Sequence, residues 1–204
     1  MTFDSLVQFL LEQHKIKNLT KDVRVKDISK EMSNVEKLFP YYIRQSAEDL
    51  EEDSRKSGFL GYGVFDEKSD KIEGYIFGHD MQEDDYHFLS MLDLEDIIFY
   101  DNDFRNLVLS MFHKTKESFF RKLLHKNSIY VANLVVTPQY RSSVYRLINS
   151  FVNECRDRNI KYLLFNALPD TIRLIKSNRL SRYNIRNIAE LYSDDDSKFY
   201  LLEI

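Results

Sequence analysis

The chain has 204 residues, of which 43% are hydrophobic and 30% charged, and a formal net charge of −4. That balance is ordinary for a globular protein of one large domain or two small ones, with a core that needs no disulfide or metal. The small negative charge excludes the basic field of a general nucleic-acid or anionic-membrane binder, and no apolar stretch approaches the roughly 20 residues of a membrane helix.

Residues 3–16 carry Phe3, Leu6, Val7, Leu10 and Leu11 at helical spacing, with Asp4 or Ser5 as cap. Residues 1–20 therefore read as an N-terminal helical extension. The chain does not open with a basic segment followed by an apolar run, which argues against a signal peptide. From Val23, VRVKDIS alternates apolar and charged residues and predicts a strand. Ser29 to about Arg55 has helical periodicity with a break at Pro40. Phe59–Phe65 and Ile72–Met81 predict a hairpin that turns through Asp66–Lys71. All five glycines (Gly58, Gly61, Gly63, Gly74 and Gly78) fall in this stretch. Turns elsewhere must use Asn, Asp, Ser or Pro, and a glycine-rich phosphate loop is excluded from most of the chain.

Residues 82–127 read as an acidic and helical insert. Glu83, Asp84, Asp85, Asp93, Glu95, Asp96, Asp101 and Asp103 come first, and no Lys or Arg lies between Lys71 and Arg105. Such a run suits either a pocket for a basic substrate or a solvated surface. His79, Asp80, Asp84 and His87 lie close together, but their spacing matches no metal-ligand pattern, so no metal is expected. Phe104 to Leu124 predicts one helix, with Leu107, Val108, Met111, Phe112, Phe119, Leu123 and Leu124 as its apolar stripe.

A strand, SIYVANLVVTP, then opens at Ser128, followed by a short turn, QYRSS, and an amphipathic helix, VYRLINSFVNECRDRN. A second apolar strand, IKYLLFNAL, follows, and the unit predicts a right-handed parallel crossover. A strand that feeds straight into a helix aims the helix's free N–H groups at one spot, which suits an anion. Cys155, the single cysteine, falls at helical spacing from Val144, Ile148 and Val152 and reads as a buried core residue. A lone cysteine fits a reducing cytosol, hence a cytoplasmic protein. Pro169 starts a short helix, and two strands, YNIRNIAELY and KFYLLEI, close the chain around SDDDS. With no repeat or linker, residues 1–204 read as a single α/β domain with a mixed sheet and helices on both faces.

This order, with the Tyr140–Arg141 pair at the turn, resembles the GNAT acetyltransferase superfamily from about Val23 to Ile204. The resemblance implies a mostly antiparallel central sheet with one splayed parallel strand pair, and acetyl-CoA as co-substrate. It implies that the backbone of Leu134, Val135 and Val136 holds the pantetheine, with Leu134 and Val136 bonding to it. It assigns the pyrophosphate to Tyr140, Arg141, Ser142, Ser143, Val144, Tyr145 and Arg146. The family's two loop glycines are absent here. Serine partly compensates, and Arg141 and Arg146 can add charge-assisted bonds to phosphate. The family's tyrosine that protonates the leaving thiolate would fall at Ile175; Tyr183, the nearest phenol, and Tyr145 at the helix start are candidates to replace it, and no motif positions either. Asn166 stands where some members carry a glutamate base, and an amide cannot take a proton; an ordered water or a carboxylate of the insert such as Glu83 or Asp85 is a candidate, with no motif choosing among the eight acids.

The function expected is acyl-CoA-dependent N-acylation, by direct attack, of an amine on a peptide, protein or small molecule such as a polyamine. Nucleic acid and membrane are not expected partners, and a homo-oligomer is left open. The alternative is a catalytically degenerate module of the same fold that engages a partner protein through its acidic insert.

Overall fold

The computed structural model describes residues 23–27, 52–66, 72–111, 116–167, 169–176, 179–193 and 198–204. The expected N-terminal extension, most of the expected 29–55 helix and the expected 67–71 and 194–197 turns lie outside the described residues. The strands are β1 (Val23–Asp27), β2 (Leu60–Asp66), β3 (Ile72–Asp80), β4 (Ile98–Phe99), β5 (Ser128–Val136), β6 (Tyr162–Ala167), β7 (Arg186–Ser193) and β8 (Lys198–Glu203). The helices are α1 (Glu83–Met91), α2 (Asn102–Met111), α3 (Lys116–Leu124), α4 (Val144–Asp157) and α5 (Pro169–Ile175). Hydrogen bonding joins the strands in the order β1-β2-β3-β5-β6-β8-β7-β4. β5 and β6 are parallel, while β1–β2, β4–β7, β6–β8 and β7–β8 are antiparallel. The mixed, mostly antiparallel sheet with one parallel pair follows the sequence reading.

The chain forms two compact units. The first holds the described residues up to Arg55, with Leu60–Phe77 and Asn133–Phe151; the second holds Lys56–Phe59, Gly78–Ala132 and Val152–Ile204. In the first, Leu60, Val64, Tyr75 and Phe77 are fully buried from β2 and β3, and Leu147 and Phe151 from the front of α4. The period-2 and period-3.6 patterns deliver these residues to the core.

In the second unit, one core joins Tyr86 and Leu89 of α1, Phe104 and Val108 of α2, and Phe119, Phe120 and Leu124 of α3. It continues through Leu164 of β6, Ile188, Ala189 and Leu191 of β7, and Leu201 of β8. Cys155 is fully buried there, as expected, and burial pushes its thiol up to about 12. The insert's helices are thus part of the core. Leu107 departs from the predicted stripe and is exposed. The predicted 104–124 helix appears as α2 and α3, with residues 112–115 outside the described residues. α1, the 3₁₀ turn Leu94–Asp96 and the two-residue β4 have no counterpart in the sequence reading.

Several of the insert's acids have local work. Asp85 accepts from the Gln82 N–H at 2.7 Å, Asp96 from the Asp93 N–H at 3.3 Å, and Asp101 from the Phe104 N–H at 2.8 Å. Each satisfies a backbone donor at a helix or turn start, where negative charge also opposes the helix dipole. Chain reversal without glycine is visible too. Asn159 (φ 61) ends α4, and Asn184 (φ 55) ends the 3₁₀ turn Leu180–Tyr183, both in the left-handed region. Asparagine tolerates that region better than most residues with a Cβ.

Candidate active site

The parallel ladder runs from Ser128↔Tyr162 to Val131↔Phe165 and stops, yet β5 continues to Val136. One bond orients the main chain of β5 beyond the ladder. The Thr137 N–H donates to the Glu73 carbonyl of β3 at 2.8 Å. Main-chain groups of successive strand residues point to opposite edges. Val136, and by alternation Leu134, therefore turn their N–H and C=O away from β3, while Val135 turns toward it. Consistently, the Val135 carbonyl oxygen lies 3.0 Å from where a Cβ on Gly74 would stand, and Val136 Cγ2 lies 2.9 Å from it. Glycine at 74 is the residue that lets β3 and β5 approach this closely. Leu134, Val135 and Val136 are themselves half-buried.

The short turn expected over QYRSS takes a definite form: Pro138–Ser143 winds as a 3₁₀ turn that runs directly into α4. No residue of the corner has positive φ. With no glycine there, a right-handed turn is the accessible way to reverse the chain, and Pro138 at its start suits it. Tyr140 alone leaves helical geometry, at φ −114 and ψ 16. The Val144 N–H bonds to the Arg141 carbonyl, so one amide expected to face an anion is already used. Arg141, Ser142 and Arg146 are exposed, Val144 and Tyr145 half-buried, and Ser143 buried. Tyr140 is buried, and its hydroxyl donates to the Asp66 carboxylate at the end of β2. Burial first, then that bond, raises its pKa and keeps it a proton donor. All ten residues expected to hold the cofactor thus lie in one unit, on one strand end, one turn and the first turn of one helix.

Of the expected catalytic groups, Tyr145 belongs to that unit, whereas Glu83 and Tyr183 belong to the other. Glu83 accepts two bonds from Arg121 of α3, at 2.9 and 2.7 Å, and the Arg121 guanidinium lies 4.8 Å over the Tyr86 ring. The hydrogen bond from Arg121 lowers the Glu83 pKa, the reverse of what a general base near neutral pH requires. Tyr183 is half-buried in a 3₁₀ turn whose backbone is clamped by Arg156, which donates to the Tyr183 carbonyl at 2.7 Å. Ile175, where the resemblance wants a phenol, is a buried core residue, and Asn166 of β6 is exposed. His79 is buried, with Nδ1 2.8 Å from the Asp80 carbonyl. No cluster of three or more His, Cys, Asp or Glu suited to a metal occurs among the described residues.

Two features escaped the sequence reading. Asp66 and Glu73 support the corner through Tyr140 and Thr137, and partners so far apart in sequence leave no local signal. In the second unit Glu190 is buried on β7. It accepts from Lys198 Nζ at 2.6 Å and from the Tyr100 hydroxyl at 3.0 Å. An acid inside the apolar run NIAELY was the available clue.

No protein-family model and no curated protein sequence matches the chain. Solved structures do. NAA60 of Arabidopsis thaliana, in complex with acetyl-CoA, is 13% identical at TM-score 0.51, over 90% of this chain and 98% of that one. The ribosomal-protein-S18-alanine N-acetyltransferase of Escherichia coli is 8% identical at TM-score 0.51, over 90% and 93%. A protein assigned to the GNAT acetyltransferases from Desulfovibrio desulfuricans is 12% identical at TM-score 0.50, over 89% and 99%. At these identities the likeness is one of architecture, and the chain has the fold of the GNAT acetyltransferases.

Proposed function

We propose that the protein is an acyl-CoA-dependent N-acyltransferase, with acetyl-CoA as donor. The observation that carries this is the end of the β5–β6 ladder at Val131↔Phe165 while β5 runs on to Val136. Leu134 and Val136 then have main-chain donors and acceptors turned away from β3, suited to the amides of pantetheine. The strand leads at once to Arg141 and Arg146, whose exposed guanidiniums suit the diphosphate. The missing glycines leave fewer main-chain amides for the phosphates, so these arginines carry more of that contact.

In this reading the amine nitrogen attacks the thioester carbonyl carbon, the C–S bond breaks, and the thiolate leaves as CoA. Tyr145 or Tyr183 supplies its proton, and the ammonium proton passes to water or to a base other than Glu83. No enzyme nucleophile is needed, which agrees with a buried Cys155 whose thiol is pushed up to about 12. The acceptor is an amine of a peptide, protein or polyamine. The insert's acids favour a cationic one, although Glu83, Asp85, Asp96 and Asp101 already serve pairing and capping. The buried Ile175 favours a second reading, a module of the same fold that binds acyl-CoA or a partner protein without turnover.

Calorimetry with acetyl-CoA tests the first reading. Losing a charge-assisted phosphate bond in Arg141→Ala should raise Kd about fivefold to tenfold. Absence of binding by the unaltered protein removes the enzyme, and binding without acylation across a broad amine panel leaves the module.

A further inference from the structure

The corner that leads into α4 is held from outside by two carboxylates. Glu73 of β3 takes Thr137 at two points: its carbonyl accepts the Thr137 N–H at 2.8 Å, and its side chain accepts the Thr137 hydroxyl at 2.9 Å. The Thr137 carbonyl in turn accepts the Tyr140 N–H at 2.9 Å. Asp66 of β2 accepts the Tyr140 hydroxyl, and that ring is buried. The tie is therefore continuous from β2 and β3 through Thr137 to Tyr140, the one residue where the 3₁₀ turn leaves helical geometry.

Charge alone would not put two acids there. If the turn receives a diphosphate, carboxylates on its anchoring residues repel the ligand. Their geometry supplies the opposite effect. A loop without glycine has fewer ways round the corner, and a side-chain lock on its kink fixes where Arg141, Ser142 and the first amides of α4 point. Prior ordering of a loop lowers the entropic cost of binding to it.

We propose that Asp66 and Glu73 are positioning residues of the cofactor corner, acting through Tyr140 and Thr137 to preset the diphosphate-binding face of the 3₁₀ turn. The inference rests on the acyl-CoA reading for its ligand, but the ordering of the corner can be read without any ligand.

The test compares Tyr140→Phe, Asp66→Ala and Asp66→Asn. Amide hydrogen exchange over 138–146 in the ligand-free protein should quicken at least fivefold in the first two, because the lock is gone and local opening is easier. Asp66→Asn should hold the parent rate, since its amide oxygen still accepts the phenol O–H. Calorimetry should show acetyl-CoA Kd up about fivefold to tenfold for Tyr140→Phe and Asp66→Ala. S-acetylpantetheine, which lacks the diphosphate, should bind all variants as it binds the parent. For Asp66→Asn the acetyl-CoA Kd should equal the parent's or fall, because one repelling charge has left.

Parent-like exchange in both Tyr140→Phe and Asp66→Ala overturns the lock. So does equal weakening of S-acetylpantetheine, which marks general damage, and so does Asp66→Asn as harmful as Asp66→Ala. If the unaltered protein binds no acetyl-CoA, the acyltransferase reading falls, while the exchange result still decides whether the Asp66–Tyr140 tie orders the corner.

Discussion

Gly74→Ala is the most direct probe of the strand approach on which the cofactor edge depends. A Cβ at 74 would stand 2.9 Å from Val136 Cγ2, 3.0 Å from the Val135 carbonyl oxygen and 3.2 Å from Val136 Cα. Ordinary contact begins at 3.4 Å, so β3 and β5 must part by about 0.4 Å, and two of the three atoms are backbone that cannot rotate away. Overpacking of this kind costs about 1–3 kcal/mol. Alanine returns about 0.5–1 kcal/mol by restricting the unfolded chain, which leaves a net loss of about 0–2.5 kcal/mol, centred on about 1 kcal/mol. Urea denaturation with an unchanged slope should show it. The same displacement moves Val135–Val136, so acetyl-CoA should bind about threefold to tenfold more weakly, a loss of roughly 1 kcal/mol. Adding Val136→Ala removes the methyl clash but not the carbonyl one, so it should recover part of the stability lost by Gly74→Ala. Equal or greater stability of Gly74→Ala together with parent affinity would refute the reasoning, because the close approach would then not need glycine.

Two further outcomes follow from the second unit. Glu83→Gln should leave acyl transfer within about twofold, since the bond from Arg121 lowers this carboxylate's proton affinity, and a loss of two or more orders of magnitude in kcat would mark Glu83 as the base. Burial alone would raise the Glu190 pKa, but the bonds from Lys198 and the Tyr100 phenol outweigh it and hold it below the usual carboxylate value. A lowered folded pKa contributes stability that is full above about pH 4.3 and is lost as pH falls through the folded value. Acid titration of urea stability should therefore show a decline in that range that Glu190→Gln removes. That variant should also lose about 1–3 kcal/mol at neutral pH, less than a fully buried pair because Lys198 is partly exposed. An unchanged acid profile in Glu190→Gln would show that Lys198 and the Tyr100 phenol do not set this group's proton affinity.

The segment from β5 to β6 was legible because each of its parts carries its own period. β5 and β6 are apolar runs of strand length, and α4 repeats its buried residues at 3.6 spacing through Leu147, Phe151 and Cys155. The 3₁₀ winding of Pro138–Ser143 was not legible, since QYRSS satisfies an open turn as well as a helical one. β4 is too short to show alternation, and α1 buries only Tyr86 and Leu89 beneath an acidic surface. The acids of the insert suited a ligand pocket and a solvated surface equally, because sequence gives charge without saying which backbone N–H each carboxylate meets. The departure at Ile175 could be seen in the same way, but no local pattern chooses between Tyr183 and Tyr145 as its replacement.

By itself the sequence determined which stretches are strands and helices near the candidate site, the absence of glycine from the corner, and the burial of Cys155. Those follow from periodicity and steric preference, which act between neighbours in the chain. The tertiary structure decided where the β5–β6 ladder ends, that Tyr140 is spoken for by Asp66, and that Glu83 is paired with Arg121. Each of these joins atoms dozens of residues apart, and the energy of such contacts depends on distances that only the folded chain sets.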